Sequence, residues 1–147
     1  MILGIGIDVC DVARVRRALS GAAGARFRAR VFTDAEQAYC EARTRARFAS
    51  YAARFAAKEA AMKALGTGWS NGLGWRDFEV VCDADGRPGL ALHGVASVLA
   101  RRRGMGRWLL ALSHDGGAAV ASVVVEAARA RRARRRRAEA RPSGGRR

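Results

Sequence analysis

Residues 47–68 read RFASYAARFAAKEAAMKALGTG. The run is rich in alanine and unbranched side chains and holds no proline, and its first glycine is Gly66. That composition favours helix, and a glycine just past the last turn suits the left-handed residue on which helices often end. One long helix is expected from about Arg47 to Leu65. Phe48, Ala52, Phe55 and Met62 fall on one stripe at helical spacing, and Glu59 lies in the middle of it. A carboxylate on an apolar stripe is costly to bury unless it is paired or binds a metal. The same helix carries the only two lysines of the chain, Lys58 and Lys63; the other 26 of its 28 basic residues are arginine. Lysine is a compact point charge and arginine a planar fork, so two clustered lysines in so arginine-rich a chain point to a chemical requirement.

Upstream of this helix, Ile2–Val9 alternates Leu3, Ile5, Ile7 and Val9 with Gly4, Gly6 and Asp8. This is a strand with one apolar face and one nearly bare face, and the bare face admits close approach of another element. The strand is expected to be buried, with Asp8 at its end. Asp11 reads as the N-cap of a short helix through Leu19 that carries Arg14, Arg16 and Arg17. Ser20–Gly24 reads as a turn. Thr33-Asp34-Ala35-Glu36 reads as a capping box that opens a helix to about Arg43. Downstream, Trp69–Gly74 is a loop, and Asp77–Cys82 and Gly89–Leu92 are strands around the turn Asp83–Gly86. His93–Arg103 is helical. Trp108–His114 and Ala118–Glu126 form a final hairpin over Asp115-Gly116-Gly117. Helices mixed with mostly antiparallel strands give the α+β class.

The 147 residues fit one domain. The formal charge is +15, but residues 127–147 hold ten arginines against one glutamate, a net of +9. Residues 1–126 therefore form the folded domain, at +6, and 127–147 an arginine- and alanine-rich tail expected to extend a helix and fray into disorder. A cationic run of this kind gains affinity for nucleic acid by releasing counterions. The competing classes are thus a basic nucleic-acid-binding module and a solvated appendage on an enzyme. The folded part carries no recognised nucleic-acid motif. No apolar run is long enough to span a bilayer, and Met1–Val9 lacks the basic leader and cleavage site of a signal peptide. Cys10, Cys40 and Cys82 are odd in number and lack metal-ligand spacing, which suits a reducing cytoplasm.

Packed on the bare Gly4/Gly6 face, the long helix would bring Glu59 to Asp8. Two carboxylates suit Mg²⁺, which completes its shell with water and substrate phosphates. The alternative is an ordinary Glu59–Lys63 pair one turn apart, with Asp8 capping nearby backbone. Arg54 and Lys58, one turn apart, would join Lys63 in placing three cations around the acids, as a metal-bound pyrophosphate needs; the alternative is a solvated helix face. Gly66-Thr67-Gly68 offers backbone N–H groups, but at a helix C-terminus the dipole has the wrong sign for an anion, and a plain cap is the simpler reading. Ser113-His114-Asp115 is no hydrolytic triad, because adjacent strand residues point to opposite faces. His114, at a strand tip, is a candidate ligand contact; His93, beside a turn, reads as structural.

These pieces resemble the holo-acyl-carrier-protein synthases. Gly4-Ile5-Gly6-Ile7-Asp8 is similar to the opening motif of that family, and Arg54–Gly68, RFAAKEAAMKALGTG, to its central signature. Asp85-Gly86-Arg87-Pro88 and Leu112-Ser113-His114-Asp115 follow in order. The resemblance covers residues 1–126 and departs at Cys10-Asp11 and around Ala22–Ala25. It implies the 4'-phosphopantetheinyl transferase fold, a mostly antiparallel sheet packed on a long central helix. It implies Mg²⁺ on Asp8 and Glu59 and a coenzyme A site lined by Arg54, Lys58, Lys63, Gly66, Arg87, Pro88, Ser113 and His114, with Asp8, Glu59 and Lys63 catalytic. Arg14 would contact an acidic acyl carrier protein, and the assembly would be a cytoplasmic homotrimer with sites between subunits, serving fatty-acid and in some cases polyketide synthesis. The chemistry implied is transfer of the phosphopantetheine arm to a carrier serine, with release of 3',5'-ADP. Two acceptors stand open for the serine proton: Glu59, or a metal-bound water polarised by Asp8.

Overall fold

A computed structural model describes residues 1–70 and 72–128. Most of the basic tail, and with it the expected helix extension, lies outside the described residues. The elements run β1 (Ile2–Asp11), α1 (Val12–Ser20), α2 (Gly24–Val31), α3 (Asp34–Glu41), α4 (Arg47–Leu65), a 3₁₀ turn (Trp75–Asp77), β2 (Phe78–Cys82), β3 (Pro88–Leu92), α5 (Gly94–Arg102), β4 (Met105–Asp115) and β5 (Ala118–Ala127). The strands form one antiparallel sheet in the order β1-β5-β4-β3-β2. The class is α+β, as expected.

The long helix spans Arg47–Leu65 and ends on Gly66 in the left-handed region, at φ 77°. It rests backbone to backbone on β1. A Cβ on Gly4 would lie 2.1 Å from the Ala64 carbonyl oxygen, and one on Gly6 1.9 Å from that of Ala60. Only glycine allows this approach, so the glycine face of β1 is its inner face. The consequence corrects the expectation of a buried strand. β1 is an edge strand, and Ile5, Ile7 and Val9 on its other face are 67%, 59% and 63% exposed.

Around α4 the core gathers Phe32, Tyr51, Met62, Leu65, Phe78, Val123 and Val125. Asp11 caps α1 by accepting from the Arg14 N–H at 3.1 Å. Thr33 and Glu36 form the expected capping box on α3. Helix α2 was not foreseen. Its opening Gly24 looked like part of a turn, but it serves close packing: a Cβ there would lie 2.0 Å from the Leu19 carbonyl oxygen. Phe27 and Val31, one turn apart, face the core.

Candidate active site

The two acids meet at the β1 edge of the sheet. Asp8 sits opposite Ala121 on β5, which in turn faces Leu112 on β4. The Lys63 ammonium donates to Asp8 Oδ1 at 2.8 Å and to the Ile7 carbonyl at 2.9 Å. Glu59, one turn before Lys63, has its carboxyl raised above the usual range, first by burial and then by repulsion from Asp8. The charges of Lys63 and Arg14, with the Trp69 side chain, oppose that shift. Asp8 and Glu59 therefore converge. The alternative of a self-contained Glu59–Lys63 pair is not what forms, because Lys63 reaches Asp8.

The donor set suits a hard divalent cation. The two carboxylates repel each other without a bound charge between them, and the chain itself places an ammonium there. Among the described residues no third His, Cys, Asp or Glu joins them into a larger metal-binding group. Two carboxylates with open positions for water and phosphate oxygens match Mg²⁺, which seldom takes an all-protein cage.

Lys58 corrects the expectation of three cations around the acids. Its side chain is fully buried and pairs with Glu36 at 2.8 Å. It also donates to the carbonyls of Trp75, at 3.1 Å, and Phe78. All three ammonium protons are thus used, and burial lowers its pKa against the pull of Glu36. Glu36 is saturated as well, accepting from the N–H groups of Thr33 at 2.9 Å and Val80 at 2.8 Å. No Lys58 donor is left for a phosphate. The reason is angular: successive helix residues diverge by about 100°, so the Arg54/Lys58 stripe faces α3 and β2 while the Phe55/Glu59/Lys63 stripe faces β1 and α1.

Arg54 lies one turn before Lys58 and is only 4% exposed. Its guanidinium stacks 3.8 Å over the Tyr39 ring, and Arg43 lies 4.2 Å from the same ring. One Arg54 nitrogen donates to the Ser50 carbonyl at 3.3 Å, whereas its buried Nε has no protein partner. These residues line a cleft of about 230 Å³ together with Pro88, Leu112 and His114. Of the residues expected at a coenzyme A site, Arg54, Pro88 and His114 share this cleft. Tyr39 and Arg43 were missed; the signal was an aromatic and an arginine one turn apart near the end of α3.

The remaining expected contacts disperse. Ser113 lies on β4 between Leu112 and His114 and so faces the opposite side of the sheet. Arg87 sits in the exposed turn beside the cleft, its N–H bonded to Asp83. Gly66 lies at the far end of α4, about 18 Å along the helix from Arg54. There Arg103 donates to the Leu65 carbonyl, placing a cation at the negative end of the dipole. Arg14 is exposed on α1, with its guanidinium 5.6 Å from the Phe55 ring. His93 is structural: it precedes α5 and bonds Glu79 at 2.6 Å. Cys10, Cys40 and Cys82 are free, and burial pushes the Cys40 thiol up to about 12. Among the described residues no helix is long and apolar enough to cross a membrane.

Comparison with known proteins fits this geometry. Residues 4–123 match the model of the 4'-phosphopantetheinyl transferase superfamily. The chain is 57% identical to the holo-[acyl-carrier-protein] synthase of Anaeromyxobacter dehalogenans (strain 2CP-C) over 130 residues, covering 87% of this chain and 98% of the relative. Its fold superposes on the crystal structure of holo-[acyl-carrier-protein] synthase from Neisseria meningitidis with a TM-score of 0.77 and 32% identity, covering 86% of this chain and 99% of the other. The Bacillus anthracis str. Ames synthase, solved in complex with CoA (3',5'-ADP), gives a TM-score of 0.70 and 33% identity over 87% of this chain and 99% of that one. These relatives lend no support to the nucleic-acid-binding alternative. The chain belongs to the 4'-phosphopantetheinyl transferase superfamily, among its holo-[acyl-carrier-protein] synthases.

Proposed function

We propose that this synthase moves the 4'-phosphopantetheine arm of coenzyme A onto a serine of an acyl carrier protein, releasing 3',5'-ADP, with Mg²⁺ held by Asp8 and Glu59. The observation that carries the reading is the convergence of two carboxylates and Lys63 at one strand edge, beside a helix whose other flank borders a cation-lined cleft. Bound between Asp8 and Glu59, Mg²⁺ would neutralise the charge that develops on the phosphate oxygens. Lys63, which rests on Asp8 without substrate, is free to turn its remaining donor to a phosphate oxygen. Arg54, Arg43 and His114 would hold the nucleotide end, where the unpartnered Arg54 Nε offers a donor for an anion. Phosphoryl transfer depends on in-line placement and charge neutralisation more than on covalent help. Glu59, with its raised carboxyl, or a water beside Asp8 takes the serine proton.

The site is completed between copies. Asp8 and Leu112 are two strands apart, about 10 Å, and α4 stands over the sheet between them. One chain's acids and its own cleft therefore lie on opposite flanks of α4. The outer sheet face, with Ile5, Ile7 and Val9 exposed beside Val124 and Leu109, offers an apolar surface for further copies. A cytoplasmic homotrimer is what the family resemblance implies, and the exposed apolar face and the free thiols suit it. The decisive experiment incubates the chain with coenzyme A, Mg²⁺ and apo carrier protein and reads the carrier by mass spectrometry. A carrier that gains no phosphopantetheine sinks the reading, and light scattering that gives a monomer sinks the shared site.

A further inference from the structure

Helices α3 and α4 meet along two successive rungs. At the first, Glu36 pairs with Lys58 at 2.8 Å, and every donor of that lysine is used. One turn further along α3 and one turn back along α4, Tyr39 meets Arg54, and this rung stays open. The Arg54 guanidinium lies 3.8 Å over the Tyr39 ring and is 4% exposed. Its Nη1 donates to the Ser50 carbonyl at 3.3 Å, and its buried Nε has no protein partner. A second guanidinium, that of Arg43 just past the end of α3, lies 4.2 Å from the same ring. Among the described residues no carboxylate pairs with either arginine. Tyr39, Arg43 and Arg54 all line the cleft that holds His114. A guanidinium is flat: its faces stack on rings, and its N–H groups radiate in its own plane. A ring against the face therefore fixes that plane without consuming a donor. A carboxylate would hold the cation and neutralise it, as Glu36 does for Lys58. Two guanidiniums against one ring also bring like charges together, a cost that a bound anion removes.

We propose that Tyr39 is a positioning residue for coenzyme A: its ring sets the plane of the Arg54 guanidinium, with Arg43 beside it, so that free N–H groups meet a phosphate of the nucleotide end. This rests on the coenzyme A reading above. The direct test is binding of 3',5'-ADP by calorimetry, with KM and kcat measured beside it. Tyr39→Leu keeps an apolar side chain against the core but removes the ring. It should bind 3',5'-ADP about tenfold more weakly, the scale of one buried guanidinium–ring contact. Its KM for coenzyme A should rise to match, while kcat at saturating coenzyme A, the KM for carrier protein and the melting temperature hold. Tyr39→Phe keeps the ring and should behave as wild type in all of these. In an Arg54→Met background, Tyr39→Leu should add no further loss of affinity. Unchanged affinity in Tyr39→Leu would overturn the proposal. So would an equal loss in Tyr39→Phe, which would put the hydroxyl on the ligand, and so would a loss that persists in full without Arg54.

A second readout needs no turnover and no change at Tyr39. By NMR, the Arg54 Nε–H signal of the wild type is the one lost in Arg54→Met. Stacked on a ring face, it should lie upfield of ordinary arginine, and 3',5'-ADP should move it. A signal indifferent to 3',5'-ADP sinks the proposal even if Tyr39→Leu fails to fold. A wild type that transfers no phosphopantetheine sinks the function reading, yet the binding data still decide Tyr39. A wild type that transfers the arm while Tyr39→Leu binds 3',5'-ADP normally sinks Tyr39 alone.

Discussion

Lys58 and Lys63 are the same residue type five positions apart on one helix, and their fates are opposite. Lys58 is wholly buried, with its protons given to Glu36, Trp75 and Phe78. Lys63 is half exposed at 52% and holds only Asp8 and a strand carbonyl, leaving one donor open. The difference teaches how a helix divides labour by angle. The Ser50/Arg54/Lys58 stripe ties α4 to α3, β2 and the cation-lined cleft, and the Phe55/Glu59/Lys63 stripe meets β1 and the acids. A charge is available for chemistry only where the fold has not already satisfied it. This also separates two uses of a buried acid: Glu36 is matched on every side, whereas Glu59 is left in a strained electrostatic position beside Asp8.

The largest effect should come from the open stripe. Asp8→Ala or Glu59→Ala should lower transfer about a thousandfold or more, because each removes half of the proposed cation site. Neither should unfold the chain, since the one bridge lost, the part-exposed Asp8–Lys63 pair between β1 and α4, contributes only about 0–1 kcal/mol. Near-normal turnover in Mg²⁺ for either variant would dissolve the distinction between the stripes. Coupled mass spectrometry and thermal melting provide both readouts.

The closed stripe should respond in the opposite way. Lys58→Met strands Glu36 as an unpaired buried charge and should remove about 3–5 kcal/mol of stability. Adding Glu36→Gln should restore much of it, because the amide oxygen can still accept a backbone N–H. Chemical denaturation of the single and double variants measures this. If Lys58→Met instead kept its stability and lost only affinity for coenzyme A, Lys58 would belong with the ligand after all. Lys63→Arg is the complementary change. It should keep the melting temperature and lose at least about tenfold in kcat/KM, about 1.4 kcal/mol, because a planar guanidinium misplaces a point charge. Wild-type kinetics would return Lys63 to a plain ion pair with Asp8.

Much of this was legible before any coordinates. The span of α4, the close approach at Gly4 and Gly6, and the capping box at Thr33 and Glu36 are local consequences of residue type and spacing. So was the meeting of Asp8 and Glu59, which follows once the bare strand face receives the helix. What escaped reading depends on contacts distant in sequence. That Glu36 is the partner of Lys58, 22 positions away, cannot be inferred from either neighbourhood. The outward turn of Ile5, Ile7 and Val9 contradicts ordinary hydrophobic patterning, because backbone proximity at the glycines outranks burial of the larger side chains. Helix α2 was hidden by a glycine that serves packing.

The smallest effect concerns the surface beyond the acids, where Arg14 connects both concerns. It sits on α1 with its guanidinium near Phe55, and its charge also favours the Glu59 carboxylate. Reversal to Glu therefore has two possible consequences, and they separate by substrate. If Arg14 meets an acidic carrier protein, Arg14→Glu should raise the KM for carrier about fivefold, the scale of one partly screened rim pair made repulsive. Added salt should weaken the wild type in the same direction, since an exposed pair is screened beyond about 10 Å at 0.1 M. The Mg²⁺ requirement and the KM for coenzyme A should stay close to wild type. Arg16→Glu supplies the control, because Arg16 stacks on Phe48, away from Glu59. A carrier-specific rise in both variants would mark α1 as a docking surface. A rise in Mg²⁺ requirement confined to Arg14→Glu would instead assign Arg14 to the electrostatics of the open stripe and leave the carrier to find another face.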